Sequence, residues 1–419
     1  MKIVMFTDTY WPRVNGVSVS VESFAAALLK MGHQVLIICP YYPESPIIQN
    51  SIIKSESNSH LSSGAILENR IIRVPSFPVI ISKEDRISKS HKLFWVSKQI
   101  DKFMPDVIHI NSEFVMADFG YYCARVNKIP TVYTYHTLWG DYMTNYIPWA
   151  PVFLLKIILW IVESSSLRRA YRVIVPSQVI CDYIKKYKTK KPPYILPTGV
   201  DDKIFYPRCN EENNEFRMSM EDAYPELKQK RILLYAGRIG KEKNIDLILK
   251  AAPKIIKEQK DIVFLIVGGG PDIYWLKEEC EVLGMRDYFV FSGYINHSVL
   301  ARVYCISEIF IFPSRTETQG LVTIEAMLSG IPVVAVGERG TAIVMNGDNG
   351  GFMVPNDDNI FAARILDLLK DKALYEKKAA EALKYGKTWA MDIMSKRLEN
   401  IYTEAIADYK KEREEKKRR

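Results

Sequence analysis

Short apolar runs recur along this chain in a rhythm that few folds accommodate. "KIVMFT", "QVLIICP", "DVIHINS", "TVYTYHT" and "YRVIVPS" fall within the first 200 residues, and "RILLYAG", "IVFLIVGGG", "YFVFSG", "IFIFPS" and "IPVVAV" follow later. Between them lie stretches with helical apolar spacing, among them "VESFAAALLKMG", which closes on a glycine stop, and "NIDLILKAAPKIIKEQ". Strands that are apolar on both faces and alternate with helices call for a parallel sheet covered on both sides. A break at "KKPPYILPTGVDDKIFYP", followed by the polar stretch "RCNEENNEFRMSMEDAYPELKQK", separates the two series. The chain therefore reads as α/β, with two doubly wound Rossmann-like domains at 1–198 and 199–387. A helical segment at 388–419 is expected to cross back to the first domain, ending in a charged tail. Ligands of such domains bind beyond the carboxyl ends of the strands, here in a cleft expected between the two.

Composition excludes several classes. With 419 residues, 48% hydrophobic and 25% charged, the chain is no disordered tail protein. Its six cysteines form no CxxC pair, and Met1 runs straight into "KIVMFTD", so reduced thiols and no signal peptide are expected. The net charge of +8 is unevenly spread: residues 1–200 hold 23 Lys+Arg against 14 Asp+Glu, about +9, and the remainder 34 against 35, about −1. An excess confined to one half points to an anionic partner surface.

The stretch "SRTETQGLVTIEAMLSG" places two glutamates, Glu317 and Glu325, around a strand-to-helix junction. "IFIFPS" is the strand, "RTETQG" the loop at its carboxyl end, and the helix begins near Gly320. Free amides at Gly320, Leu321 and Val322 suit a phosphate. Glu317 precedes the helix and Glu325 lies more than a turn inside it, so the carboxylates can accept hydroxyl hydrogen bonds on either side of that phosphate. A sugar nucleotide has this polarity.

These residues resemble a known family. "TETQGLVTIEAMLSGIPVVA" is similar to the E-x7-E signature of retaining glycosyltransferases of family 4, which have the GT-B fold. "GRIGKEKNIDLIL", "IVGGGP", "VFSGYI" and "FTDTYWPRVNGVSVSV" resemble other segments of that family, and the likeness runs from about residue 1 to 400. The resemblance implies that Glu325 meets the ribose hydroxyls, Glu317 the donor sugar, Arg238 and Lys243 the diphosphate, and Gly16 the distal phosphate. It places Gly293, Tyr294 and Ile295 near the base, with Gly269 and Gln319 completing the donor set. His136, at the end of "TVYTYH", would touch the sugar near the reacting carbon, orienting it and stabilising charge. The leaving phosphate would take the acceptor's proton. Asp8, His109, Glu113 and Thr137 are the candidate acceptor contacts. No cofactor is expected. The only acidic pairs resembling a metal motif, "VDD" at 200–202 and "NDD" at 356–358, fall in a linker and a loop. An Arg and a Lys would neutralise the leaving group in the metal's place.

The acceptor is approached through the basic half. In "PWAPVFLLKIILWIVESSSLRRAYR", residues 151–162 are apolar apart from Lys156. Twelve residues are too few to span a bilayer, which takes roughly 20. Such a helix is either core or lies in a membrane interface, with Trp149 and Trp160 at headgroup depth. "YIKKYKTKK" and "SKEDRISKSHK" add basic residues suited to anionic lipid rather than nucleic acid. "TETQGL" and "TYHTLWGDYMTNYI" resemble the branch that glycosylates diacylglycerol, although that branch tends to carry a strongly basic helix where this one is apolar. The expectation is transfer of glucose or galactose from UDP to diacylglycerol at the inner face of the cell membrane. Alternatives are a soluble or polyprenyl-linked saccharide acceptor, or an inactive binding scaffold.

Overall fold

The computed structural model describes residues 1–13, 15–42, 70–79, 85–90, 93–136, 151–317, 319–345, 347 and 349–418. It divides into two compact units: unit 1 is Met1–Gly199 with Met391–Arg419, and unit 2 is Val200–Ala390. Both are α/β with parallel sheets.

Unit 1 begins with β1 (Lys2–Phe6), β2 (Gln34–Pro40) and β3 (Ile71–Val74), followed by a small antiparallel ribbon of β4 (Ser76–Pro78) and β5 (Arg86–Ser88). The strands β6 (Val107–Ile110), β7 (Thr131–Thr134), β8 (Arg172–Val175) and β9 (Tyr194–Ile195) complete a parallel sheet ordered β3-β2-β1-β6-β7-β8-β9. Helices cover both faces. On one side the helix Gly16–Lys30 and the C-terminal helix Met391–Arg418 share an apolar cluster. The latter contributes Met394, Leu398, Ile401, Tyr402 and Ala405, a stripe at helical spacing on a segment that is otherwise polar. The other face is closed by the helices Leu93–Phe103, Val115–Asn127 and part of Val152–Arg169.

Unit 2 repeats the plan with β10 (Arg231–Ala236), β11 (Ile262–Val267), β12 (Phe289–Gly293), β13 (Ile309–Phe312), β14 (Val333–Val336) and β15 (Gly351–Val354), ordered β12-β11-β10-β13-β14-β15. Every residue of β11, β13 and β14 is buried, as two helical layers require. In both sheets the order reverses beside the first strand, between β1 and β6 and between β10 and β13. At such a reversal the loops leaving neighbouring strands turn to opposite faces, which is where ligands of doubly wound sheets bind.

The polar stretch after the break belongs to unit 2 and carries structure: Asn210–Ala223 is a helix that buries only Phe216 and is tied down by Arg217, which donates to the carbonyls of Leu227 and Lys230 at 2.6 Å. The apolar helix Val152–Arg169 is not a core helix as a whole. Phe153 is 68% and Ile161 55% exposed, and Leu154, Ile157, Ile158 and Trp160 are exposed too, while burial in this first half is confined to Leu155 and becomes general from Glu163 onward. Trp149 and most of the "TYHTLWGDYMTNYI" segment lie outside the described residues, as does part of "SKEDRISKSHK". Among the described residues, no helix is long and apolar enough to cross a membrane.

Candidate active site

In unit 2 the loops after β10 and β13 meet at the switch point. Asn244, in the left-handed region at φ 56°, donates to the Pro313 carbonyl at 3.0 Å and so stitches the two loops together. This brings Lys243 into an ion pair with Glu317, each side chain about one fifth exposed (19% and 21%). Ser314 Oγ donates to the same carboxylate at 3.4 Å, and the Gly340 amide holds the Glu317 carbonyl at 2.8 Å. Arg238 follows β10, with Tyr235 donating to its carbonyl at 2.8 Å. Its side chain is 58% exposed and its Nε lies 3.6 Å from Glu242, a long ion pair at the surface.

Gly320 opens the helix Leu321–Leu328 with φ 67°, a conformation that disfavours a side chain, and no side chain caps that helix. Its first-turn amides at Leu321 and Val322 remain as donors for an anion. Glu325, one turn further on, is buried at 6% exposure and accepts the Tyr304 hydroxyl at 3.1 Å. Burial pushes its carboxyl up, opposed by His297 and by the Tyr304 hydrogen bond. A buried carboxylate with one phenol partner has lone pairs left for ligand hydroxyls.

The triple glycine after β11 has a packing reason. A Cβ on Gly268 would stand 1.9 Å from the Gly237 carbonyl oxygen, and one on Gly270 2.0 Å from that of Ile239. At Gly269 it would strike the Tyr294 ring, which lies on this glycine, donates to its carbonyl at 3.1 Å and is 74% exposed. Gly293 accepts the Gly268 amide at 2.9 Å, and Ile295 packs against the core. Gln319 lies in the loop immediately before Gly320.

In unit 1 the candidates gather at the ends of β1, β6 and β7. His136 Nε2 is 3.0 Å from Asn111 Oδ1, and burial depresses its pKa to about 4, so the ring is neutral. Asp8 accepts the amides of Phe114 and Met116, both at 3.2 Å, and thereby caps the helix Val115–Asn127. Its carboxyl is raised to about 6 by burial. Glu113 is buried and accepts from Tyr133 at 2.9 Å. His109 has no ring nitrogen left for an acceptor: Nδ1 meets Tyr402 at 2.6 Å and Nε2 meets Thr134 at 2.7 Å. Its place is in the joint between sheet and C-terminal helix. Gly16 starts a helix whose Val17 and Ser18 amides are already taken by the Asn15 side chain, with open space beyond its Cα. Thr137 lies outside the described residues.

Sequence reasoning missed Asn111, Asn244 and Tyr304. Asn111 was visible as a polar residue at a strand's carboxyl end in "HINSEF". Tyr304 gave no signal, because it reaches Glu325 from a different helix.

Residues 14–203 match the family described as glycosyltransferase family 4, and residues 218–389 the family described as glycosyl transferases group 1. The chain is 32% identical over 343 residues to an alpha-monoglucosyldiacylglycerol synthase of Streptococcus pneumoniae, covering 80% of this chain and 71% of that one. To the enzyme of the same name from Acholeplasma laidlawii it is 25% identical over 97% of this chain and 98% of the relative. Among solved structures, Anabaena HepE in complex with UDP and glucose superposes with TM-score 0.72 at 15% identity, covering 96% of this chain and 99% of that one. Sucrose-phosphate synthase from Thermosynechococcus elongatus gives 0.70 at 21%, covering 97% and 99%.

Proposed function

Since this chain belongs to the family 4 glycosyltransferases and has their GT-B fold, we propose that it transfers a glucose or galactose from UDP to diacylglycerol, with retention, at an anionic membrane surface. The observation that carries the donor half is the switch-point cluster of unit 2: Lys243 against Glu317, the uncapped helix behind Gly320, and buried Glu325. Glu325 accepts ribose hydroxyls, the amides of Leu321 and Val322 take a phosphate, and Arg238 and Lys243 neutralise the diphosphate as it leaves, without a metal. The bond from the sugar carbon to the phosphate oxygen breaks and the acceptor oxygen bonds on the same face. The acceptor's proton passes to the departing phosphate. His136, neutral, orients the sugar and stabilises charge at the reacting carbon.

The lipid half rests on unit 1. With the C-terminal helix counted in, this unit holds 32 Lys+Arg against 21 Asp+Glu, about +11, and unit 2 holds 25 against 28, about −3. Six large apolar side chains stand exposed on one helix beside this charge. Of the basic segment, Lys191 is bound to Asp408 and Glu412, and Lys190 donates to the Arg169 carbonyl at 2.7 Å. Lys185 is paired with Asp182 at 2.6 Å, which leaves Lys186 and Lys188 at the surface. Two lysines contribute roughly 1 kcal/mol each, whereas each large apolar side chain fully withdrawn from water contributes about 1.5–3 kcal/mol. Insertion of the helix therefore outweighs charge, and binding resists salt. Sedimentation with vesicles containing anionic lipid tests this: wild type co-sediments even at high salt, and the pair Ile157→Ser with Trp160→Ser does not. Release of UDP that is indifferent to diacylglycerol in those vesicles would sink the lipid acceptor.

A further inference from the structure

Asn111 lies one residue beyond β6, where the unit 1 sheet reverses order, and is only 4% exposed. Its Oδ1 faces His136 Nε2 at 3.0 Å, whereas its Nδ2 is buried with no hydrogen-bond partner among the described residues. An asparagine retained for packing alone would have both ends bonded, because a buried amide donor left unpaired is costly. His109, two residues earlier on the same strand, shows the contrast: both of its ring nitrogens are engaged inside the fold. A neutral imidazole carries a single N–H, and the partner of one nitrogen decides which. An acceptor oxygen at Nε2 requires the proton there and leaves the lone pair on Nδ1.

We propose that Asn111 is a positioning residue for His136: its amide oxygen fixes the Nε2–H tautomer, so that Nδ1 is presented as a hydrogen-bond acceptor to a substrate hydroxyl. This rests on the assignment of His136 to the reaction and makes that assignment more definite. A histidine held in this way accepts from a hydroxyl and does not act as a proton donor. The unpartnered Nδ2, beside it, is a donor in place for an oxygen of the same bound molecule.

The test uses the full-length protein labelled with 15N-histidine, whose six histidines are resolved by long-range 1H–15N spectra, with His136 assigned from its absence in His136→Gln. Wild type and Asn111→Asp should show the Nε2–H form, and Asn111→Ala a mixture or the opposite tautomer. In transfer assays Asn111→Ala should lower kcat on the order of 10–100-fold, leaving KM for the sugar nucleotide within about twofold. Asn111→Asp, which keeps an acceptor at Nε2, should recover most of that loss. A wild-type Nδ1–H signal, or an Asn111→Ala spectrum unchanged from wild type, overturns the proposal. If Asn111→Ala fails to fold, the wild-type and Asn111→Asp spectra still decide it. Full transfer by His136→Gln would instead remove His136 from the reaction, whatever its tautomer.

Discussion

Replacing Lys243 by alanine separates two accounts of the Lys243–Glu317 pair: a structural clamp, or a charge held for the leaving group. The side chains are about one fifth exposed (19% and 21%), so the pair itself is worth roughly 1 kcal/mol. For a unit of this size that is a fall in Tm of roughly 2–4 °C. Catalysis should suffer far more. A preorganised charge aimed at a developing anion is worth roughly 3 kcal/mol, or about two orders of magnitude in rate. Adding Glu317→Gln to Lys243→Ala removes the carboxylate left without its cation and should restore most of the Tm. It should not restore transfer, because the diphosphate still lacks its counter-charge. The assay is UDP release under saturating donor, alongside thermal melts of the four proteins of the cycle. A double variant as active as Glu317→Gln alone would refute the reasoning, since Lys243 would then serve only to satisfy Glu317.

Glu325→Gln should weaken binding of UDP alone, and Glu317→Gln should leave it nearly intact while impairing transfer; calorimetric titration of UDP compares them, and equal losses would contradict the division. Glu163, buried at 1% exposure, accepts hydroxyls from Tyr135 at 2.6 Å and from Tyr187 and Tyr183. Glu163→Ala strands at least two buried phenols at about 1–3 kcal/mol each, so melting should fall by several degrees, and a shift under about 2 °C would dispute that count. Burial holds His109 at about 3 and His136 at about 4 in the folded chain, against an ordinary 6.5. The unfolded chain therefore binds two more protons, and their stabilising contribution, complete above pH 6.5, is lost as pH falls toward 4. Asp8, raised from 3.8 to about 6, and Glu325 and Glu308, also raised by burial, work the opposite way, whereas Asp261, Asp358 and Glu412, held low by their hydrogen-bonded cations, reinforce the loss at the acid end. Denaturant midpoints should thus drop between pH 6.5 and 4, with a shallower slope in His109→Gln; a flat profile would contradict the buried neutral histidines.

Much of the fold was legible because strands buried on both faces cannot hide their composition: "IVFLIV" and "IFIF" are wholly apolar and wholly buried. The glutamate loop was legible for a related reason, since an apolar strand, a short polar loop ending in Gly320 and an apolar helix follow one another in the sequence. What lay beyond reach depends on partners distant in sequence. The helix Asn210–Ala223 buries Phe216 and partly buries Met220 against the core, and Arg217 finds its carbonyl partners ten and thirteen residues away. His109 looked like a site residue because it ends a strand, and only the C-terminal helix, 293 residues further on, supplies the Tyr402 hydroxyl that occupies it. The apolar helix at 152–169 could not be divided between core and surface from sequence, because its first half carries no polar face to show which side meets water.

The central claim is that a hexose moves from UDP to a lipid. Incubating the purified protein with tritiated UDP-glucose or UDP-galactose and vesicles of diacylglycerol in anionic phospholipid, followed by chloroform–methanol extraction, tests it directly. The account predicts label in the organic phase as a monohexosyl diacylglycerol of α configuration, formed at a rate that falls about a hundredfold or more in Lys243→Ala. Label confined to the aqueous phase, as free hexose or on a soluble saccharide, would contradict it.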